Sequence, residues 1–146
     1  MERIQLDLPA DRKYLSLIGA ILKELCTCVP DMPAMACYNV QLAVDEAVDN
    51  IITHAYPDNP AGRMQFTFEL RPDRLVIQVR DWGLGFDPSA VPEPDLARPR
   101  TRGYGVYLIR QMMDSVVYEP NTADGNLVTL VKMAHGGSGR AGQRSG

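Results

Sequence analysis

Two short runs of strict alternation constrain this chain more than anything else in it. Met64, Phe66, Phe68 and Leu70 fall on every second position of one run, and Leu75, Ile77 and Val79 repeat the pattern up to Asp81 in the next. Successive side chains of a strand point to opposite faces, so each run has one apolar and one polar side. Between them Pro72-Asp73 makes a short turn. A parallel crossover needs far more chain, so the two runs form an antiparallel hairpin.

The rest of the chain offers helices to cover that hairpin. Ile4, Leu6 and Leu8 alternate as a first strand ending at Pro9, and Leu15, Ile18, Leu22 and Leu25 then recur at helical spacing from Asp11 to about Cys26. After Pro30-Asp31 a long helix is expected through Ala55, with Asp31 as its cap. Pro57 to Gly62 reads as a loop. A third helix is expected from about Gly105 to Met113, then strands Val116 to Glu119 and Leu127 to Met133 around the turn-rich Asn121 to Gly125. The order is strand, helix, helix, hairpin, helix, hairpin. It predicts an α+β fold, a two-layer sandwich with a mainly antiparallel mixed sheet and helices on one face. The 146 residues fit one domain over 1–135 with a real core and no internal repeats. Residues 136–146, glycine, serine and arginine with little apolar content, are expected to be a disordered tail.

Composition excludes several classes of function. The formal net charge of −3 gives no case for nucleic acid as the main partner, since Arg98, Arg100 and Arg102 form only a local basic cluster. No apolar run approaches a membrane span, and the start enters a strand pattern directly without the look of a signal peptide. Cys26, Cys28 and Cys37 are an odd set, as expected of reduced thiols in a cytoplasmic protein. Their spacing does not make a zinc site, and His54 and His135 do not complete one.

Polar residues in unexpected places carry the functional signal. In Val44 to Tyr56, the residues Val44, Val48, Ile51, Ile52 and Ala55 form an apolar stripe, while Glu46, Asn50 and His54 recur every four residues on its flank. At about 100° per residue those three share one narrow strip. Such a strip is either a solvated edge or the rim of a pocket. In Asp81-Trp82-Gly83-Leu84-Gly85 a strand ends in an acid followed by two glycines; a simple turn explains the glycines but not the acid. In Arg102-Gly103-Tyr104-Gly105-Val106 glycines open a helix, where unpaired N–H groups and the helix dipole favour an anion.

In this order the three stretches resemble the Bergerat ATP-binding fold shared by gyrase, Hsp90, histidine kinases and MutL. Glu46 to Asn50 is similar to its N-box, Asp81-x-Gly83-x-Gly85 to its first glycine box, and Gly103-x-Gly105 to its second. The resemblance covers roughly Ile4 to Ala134. The short single-domain form, with Glu-Ala-Val-Asp-Asn followed by His-Ala-Tyr, resembles the anti-sigma-factor serine/threonine kinases of bacterial stress and sporulation switches.

That resemblance implies ATP and Mg²⁺ as ligands and assigns roles. Asn50 would ligate Mg²⁺ through its amide oxygen, a hard donor of the kind this ion shares with phosphates and water. Glu46 would be the general base toward a serine or threonine hydroxyl. Asp81 would accept from the adenine amino group, with Gly83 and Gly85 leaving room for the ring. Arg102, Gly103, Tyr104, Gly105 and Val106 would line the phosphates, with Tyr104 and Val106 departing from the family pattern. The proline-rich Phe86 to Arg102 would be the ATP lid, and Arg100 or Arg102 would face the γ-phosphate or a partner. His54 fits either the site or a packed helix end. The implied partners are a STAS-domain anti-sigma-factor antagonist and a sigma factor, with a homodimer through the first helix as a further expectation.

Two rival readings use the same residues. A pure interaction module would bind ATP to set its shape and hold a partner without phosphorylating it, but it would not need Glu46. A histidine kinase catalytic domain would need a phosphoacceptor histidine on a dimerisation helix pair, and no such segment precedes the domain in this sequence.

Overall fold

The computed structural model describes residues 2–85 and 105–135. The expected lid, the lid arginines Arg100 and Arg102, Gly103, Tyr104 and the expected tail lie outside those residues. Strand β1 (Glu2–Pro9) leads through a single 3₁₀ turn (Arg12–Tyr14) into α1 (Leu15–Cys26). Helix α2 (Ala34–Asn50) continues as a π turn (Ile51–Ala55), and β2 (Arg63–Leu70) and β3 (Arg74–Asp81) form the hairpin. After α3 (Gly105–Met112), strands β4 (Ser115–Thr122) and β5 (Gly125–Met133) close the domain.

The five strands pair in the order β1-β2-β3-β5-β4. All four pairings are antiparallel, so no parallel pair occurs among the described strands. Strand β5 slots between β3 and β4, which brings the start of β5 beside the end of β3 through the pair Asp81↔Asn126.

Parity in the sheet explains the layers. Met64, Phe66, Phe68 and Leu70 are buried on one face, together with Leu75, Ile77, Val79, Val128 and Leu130. Gln65, Thr67 and Glu69, at the intervening positions, remain half-exposed. The helices therefore cover one face only. Ile18 and Leu22 of α1, Val40, Val44 and Val48 of α2 and Ile109 of α3 join the same cluster of buried residues. Each such aliphatic or aromatic side chain stabilises the fold by about 1.5–3 kcal/mol when fully buried. Cys26 and Cys37 are buried and Cys28 is exposed, all as free thiols. Among the described residues no helix is long and apolar enough to cross a membrane.

Three boundaries differ from the sequence reading. Asp31 does not cap α2: it sits in the preceding turn at φ +62, a left-handed conformation that Asp tolerates better than most residues. Pro33 occupies the cap position in extended geometry, without a side-chain bond, and its carbonyl accepts from Cys37 N at 3.1 Å. The helix also does not stay α-helical through Ala55. Its last turn widens, and Tyr56 N donates to Ile51 O five residues back at 3.1 Å. Finally, β4 runs on to Thr122 with an irregularity after Glu119, tolerable because Pro120 lies on an edge strand.

Candidate active site

The polar strip of α2 divides at the π turn. Glu46 and Asn50 are half-buried while His54 is exposed. An i→i+5 turn rotates the residues beyond it off the α-helical strip, and His54 does not wall the pocket that Asn50 and Asp81 share. Asp49, on the other flank, is held by Arg12, whose Nε and Nη2 donate to Asp49 Oδ1 at 3.1 and 2.6 Å. Arg12 Nη2 also reaches Thr53 Oγ1 at 3.2 Å, so the turn after β1 is tied to the last turns of α2.

Helix α3 starts against Glu46 and Asn50. A β-carbon on Gly105 would lie 2.9 Å from Glu46 Oε2 and 3.3 Å from Asn50 Oδ1, so a side chain there would press on the ends of both. The glycine lets a helix start, with its unpaired N–H groups, approach two oxygen-bearing side chains. Burial raises the Glu46 carboxyl above its ordinary range, and the nearby charges of Asp49 and Asp45 add to this. The side chain of Val106, the next residue, is buried and lies outside the pocket wall.

Asp81 ends β3 as a buried acid. Its Oδ1 accepts from Gly83 N at 3.0 Å and from Asn126 Nδ2 at 2.8 Å. Burial raises its pKa, and these two bonds oppose the rise. Asn126 Nδ2 also lies 3.1 Å from Gly83 O, and Asn126 Oδ1 accepts from Asn121 N at 2.7 Å. This one amide thus joins the acid, the glycine loop and the β4–β5 turn. The sequence reading missed it. The signal was present, because Asn126 shares the inward parity of Val128 and Leu130, where a polar residue needs a reason.

The first glycine box is docked onto the end of α2. Leu84 N donates to Ala55 O at 2.8 Å, and a β-carbon on Gly83 would run into that same carbonyl. The room Gly83 leaves is therefore filled by the widened helix end. A β-carbon on Gly85 would meet only the tip of the Asn121 side chain.

Asn50, Ile51, Ala55, Asp81, Leu84 and Asn126, with residues of β4 and β5, wall a pocket. Glu46 is not part of the wall and stands one helical turn before Asn50. Asn50 Nδ2 is buried without a hydrogen-bond partner. Turning the amide over would present its oxygen there instead, so the residue suits a hard cation brought in with phosphates. Among the described residues no group of three or more acids, histidines and cysteines forms a self-sufficient metal site.

Comparison with known proteins bears on the family and the fold. Residues 8–132 match the histidine kinase-like ATPase domain family. The serine-protein kinase RsbW of Bacillus cereus strain AH187 is 32% identical over 126 residues, covering 79% of this chain and 76% of the relative. RsbW of Oceanobacillus iheyensis is 27% identical over 121 residues, with 77% and 76% covered. Among solved structures, the RsbU and RsbW domains of a Mycobacterium tuberculosis protein superpose with a TM-score of 0.63 at 15% identity, over 91% of this chain and 33% of that one. The histidine kinase domain of a blue-light activated kinase from Erythrobacter litoralis gives 0.53 at 18% identity, over 90% and 64%. At such identities the two structures speak for the fold alone. The chain belongs to the histidine kinase-like ATPase domain family, within the Bergerat-fold anti-sigma-factor kinase type that the RsbW proteins represent.

Proposed function

We propose that this protein is an ATP-dependent protein serine/threonine kinase and anti-sigma factor of the bacterial cytoplasm. It phosphorylates a STAS-type antagonist and sequesters a sigma factor in a partner switch. The observation that carries the reading is the meeting of Glu46 and Asn50 with the glycine that opens α3, beside a pocket that Asn50 and Asp81 wall together. The naming of the relatives as serine-protein kinases supports it.

In this reading each group has one task. Asp81 accepts from the adenine amino group, while Asn126 and Gly83 N hold the carboxylate by Oδ1 and leave Oδ2 for the ligand. The N–H groups that open α3 bind phosphate oxygens, and the resemblance assigns phosphate contacts to Arg102, Gly103 and Tyr104 as well. Asn50 would hold Mg²⁺, which when bound draws charge from the phosphate oxygens. Glu46 takes the proton of the incoming hydroxyl as its oxygen bonds to the γ-phosphorus and the bond to the ADP oxygen breaks. Its raised pKa brings it toward the range in which a base at neutral pH works best.

The partner class is tested by affinity capture from the native lysate with and without ATP. A STAS-type protein or a sigma factor, with recovery that changes on adding ATP, is the expected result. Recovery of neither under both conditions would contradict the partner-switch part of the reading.

A further inference from the structure

Among the described residues two buried side-chain atoms lack any hydrogen-bond partner: Asn50 Nδ2 and the Tyr118 hydroxyl. Both residues wall the same pocket. Native structures leave few such groups unpaired, and each calls for a cause. Asn50 has one in its proposed role as a magnesium ligand. Tyr118 has none so far, and a phenylalanine would fill its place in the core without stranding a hydroxyl.

The sheet register locates Tyr118 within the pocket. Tyr118 pairs with Val128, which pairs with Val79. That cross-strand row is the next one inward, on the same face, from the row of Asp81 and Asn126. The wall it shares is mixed: Ala47, Ile51 and Val128 are apolar, Asn50, Asp81 and Asn126 polar. Burial pushes the phenol up to about 12 against a partial opposing effect of Arg110, so the group stays a neutral hydroxyl at any working pH. One row from Asp81, the proposed adenine contact, a neutral hydroxyl suits an uncharged acceptor, such as a ring nitrogen or a ribose oxygen, better than a phosphate.

We infer that Tyr118 is a further nucleotide-contacting residue, its hydroxyl hydrogen-bonding the nucleoside half of bound ATP. The inference rests on the proposed ATP binding and adds a contact from the sheet side that none of the three sequence motifs contains.

Tyr118→Phe removes the hydroxyl and nothing else. Calorimetry of ATP binding, competition by adenosine and the thermal midpoint of the ligand-free protein are compared with wild type. The expected result is an ATP Kd about fivefold weaker, the effect of one neutral hydrogen bond. Adenosine should weaken by a similar factor, while the ligand-free midpoint holds or rises because a stranded donor has gone. Unchanged ATP affinity would overturn the inference; if the ligand-free midpoint also fell by several degrees, the hydroxyl serves the fold through an ordered water. Weakened ATP with unchanged adenosine would overturn the assignment to the nucleoside. A wild-type protein that binds no ATP would instead bring down the functional reading itself, a result available before the variant is made.

Discussion

Asn126 Nδ2 donates to Asp81 Oδ1 at 2.8 Å, with both side chains buried where the end of β3 meets the start of β5. This bond fixes a carboxylate that burial alone would prefer to protonate. Because the folded pKa of Asp81 is raised above its ordinary 3.8, the folded state binds this proton more tightly than the unfolded state does. Stability from this group is then fully present below the unfolded pKa and falls as pH climbs through the folded pKa. Asp81→Asn keeps the shape and can still accept from Asn126 and Gly83. It should therefore have a higher thermal midpoint than wild type at pH 7, the difference closing as pH falls below about 4. ATP binding should drop at least about tenfold. A lower midpoint at pH 7 would contradict this account of Asp81.

Base selectivity stems from the same carboxylate. An acceptor pairs with the amino group of adenine and repels the carbonyl oxygen that guanine carries there. GTP should bind at least about tenfold more weakly than ATP, roughly 1.4 kcal/mol. Equal affinities by calorimetry would remove Asp81 from the adenine site.

The two glycines after Asp81 should behave differently. A methyl on Gly83 meets the Ala55 carbonyl and lies 2.9 Å from the Tyr56 ring, so backbone must move. Gly83→Ala should cost about 1–3 kcal/mol in urea denaturation, as overpacking does. Gly85→Ala meets only a movable amide and should stay within roughly 0.5 kcal/mol of wild type. Equal costs at the two positions would contradict the docking of this loop on α2.

Much of this was legible in the sequence. Period-two alternation in β2 and β3 gave both the hairpin and its inward face, because core parity leaves a strand no choice of side. The pairing of Glu46 with Asn50 was legible for a similar reason: helical spacing is fixed within an unbroken α-helix. His54 departs from the strip where that spacing fails, at the π turn, whose Ala55 carbonyl is claimed by Leu84, a partner remote in sequence. Asp31 lost the cap to Pro33 through backbone geometry that composition does not reveal. Asn126 showed its parity but not its partner, and Tyr118 showed nothing, because the meaning of both depends on β5 lying between β3 and β4. No local pattern specifies that order.

If Asn50 ligates Mg²⁺, its loss should matter only when the ion is present. Asn50→Ala should weaken ATP binding in Mg²⁺ by about tenfold or more relative to wild type, and in EDTA by no more than a few-fold. The same loss in both conditions would mean that Asn50 acts on the fold or on the nucleotide directly.

Glu46 provides the most direct test of the kinase reading. A general base contributes about 10²–10⁴-fold to a rate without having to contribute to ground-state binding. Glu46→Gln keeps the size of the side chain beside Gly105 while removing its basic oxygen. The decisive measurement is radiolabel transfer from ATP to a serine or threonine of the captured antagonist, for wild type and Glu46→Gln, alongside ATP titrations of both. The account predicts transfer by wild type, a fall of about two orders of magnitude or more in the variant, and ATP affinities within a few-fold of each other. If wild type binds both ATP and the antagonist yet transfers no phosphate, the protein is a nucleotide-dependent holder and the central claim fails; if the variant matches wild type, the base is not Glu46.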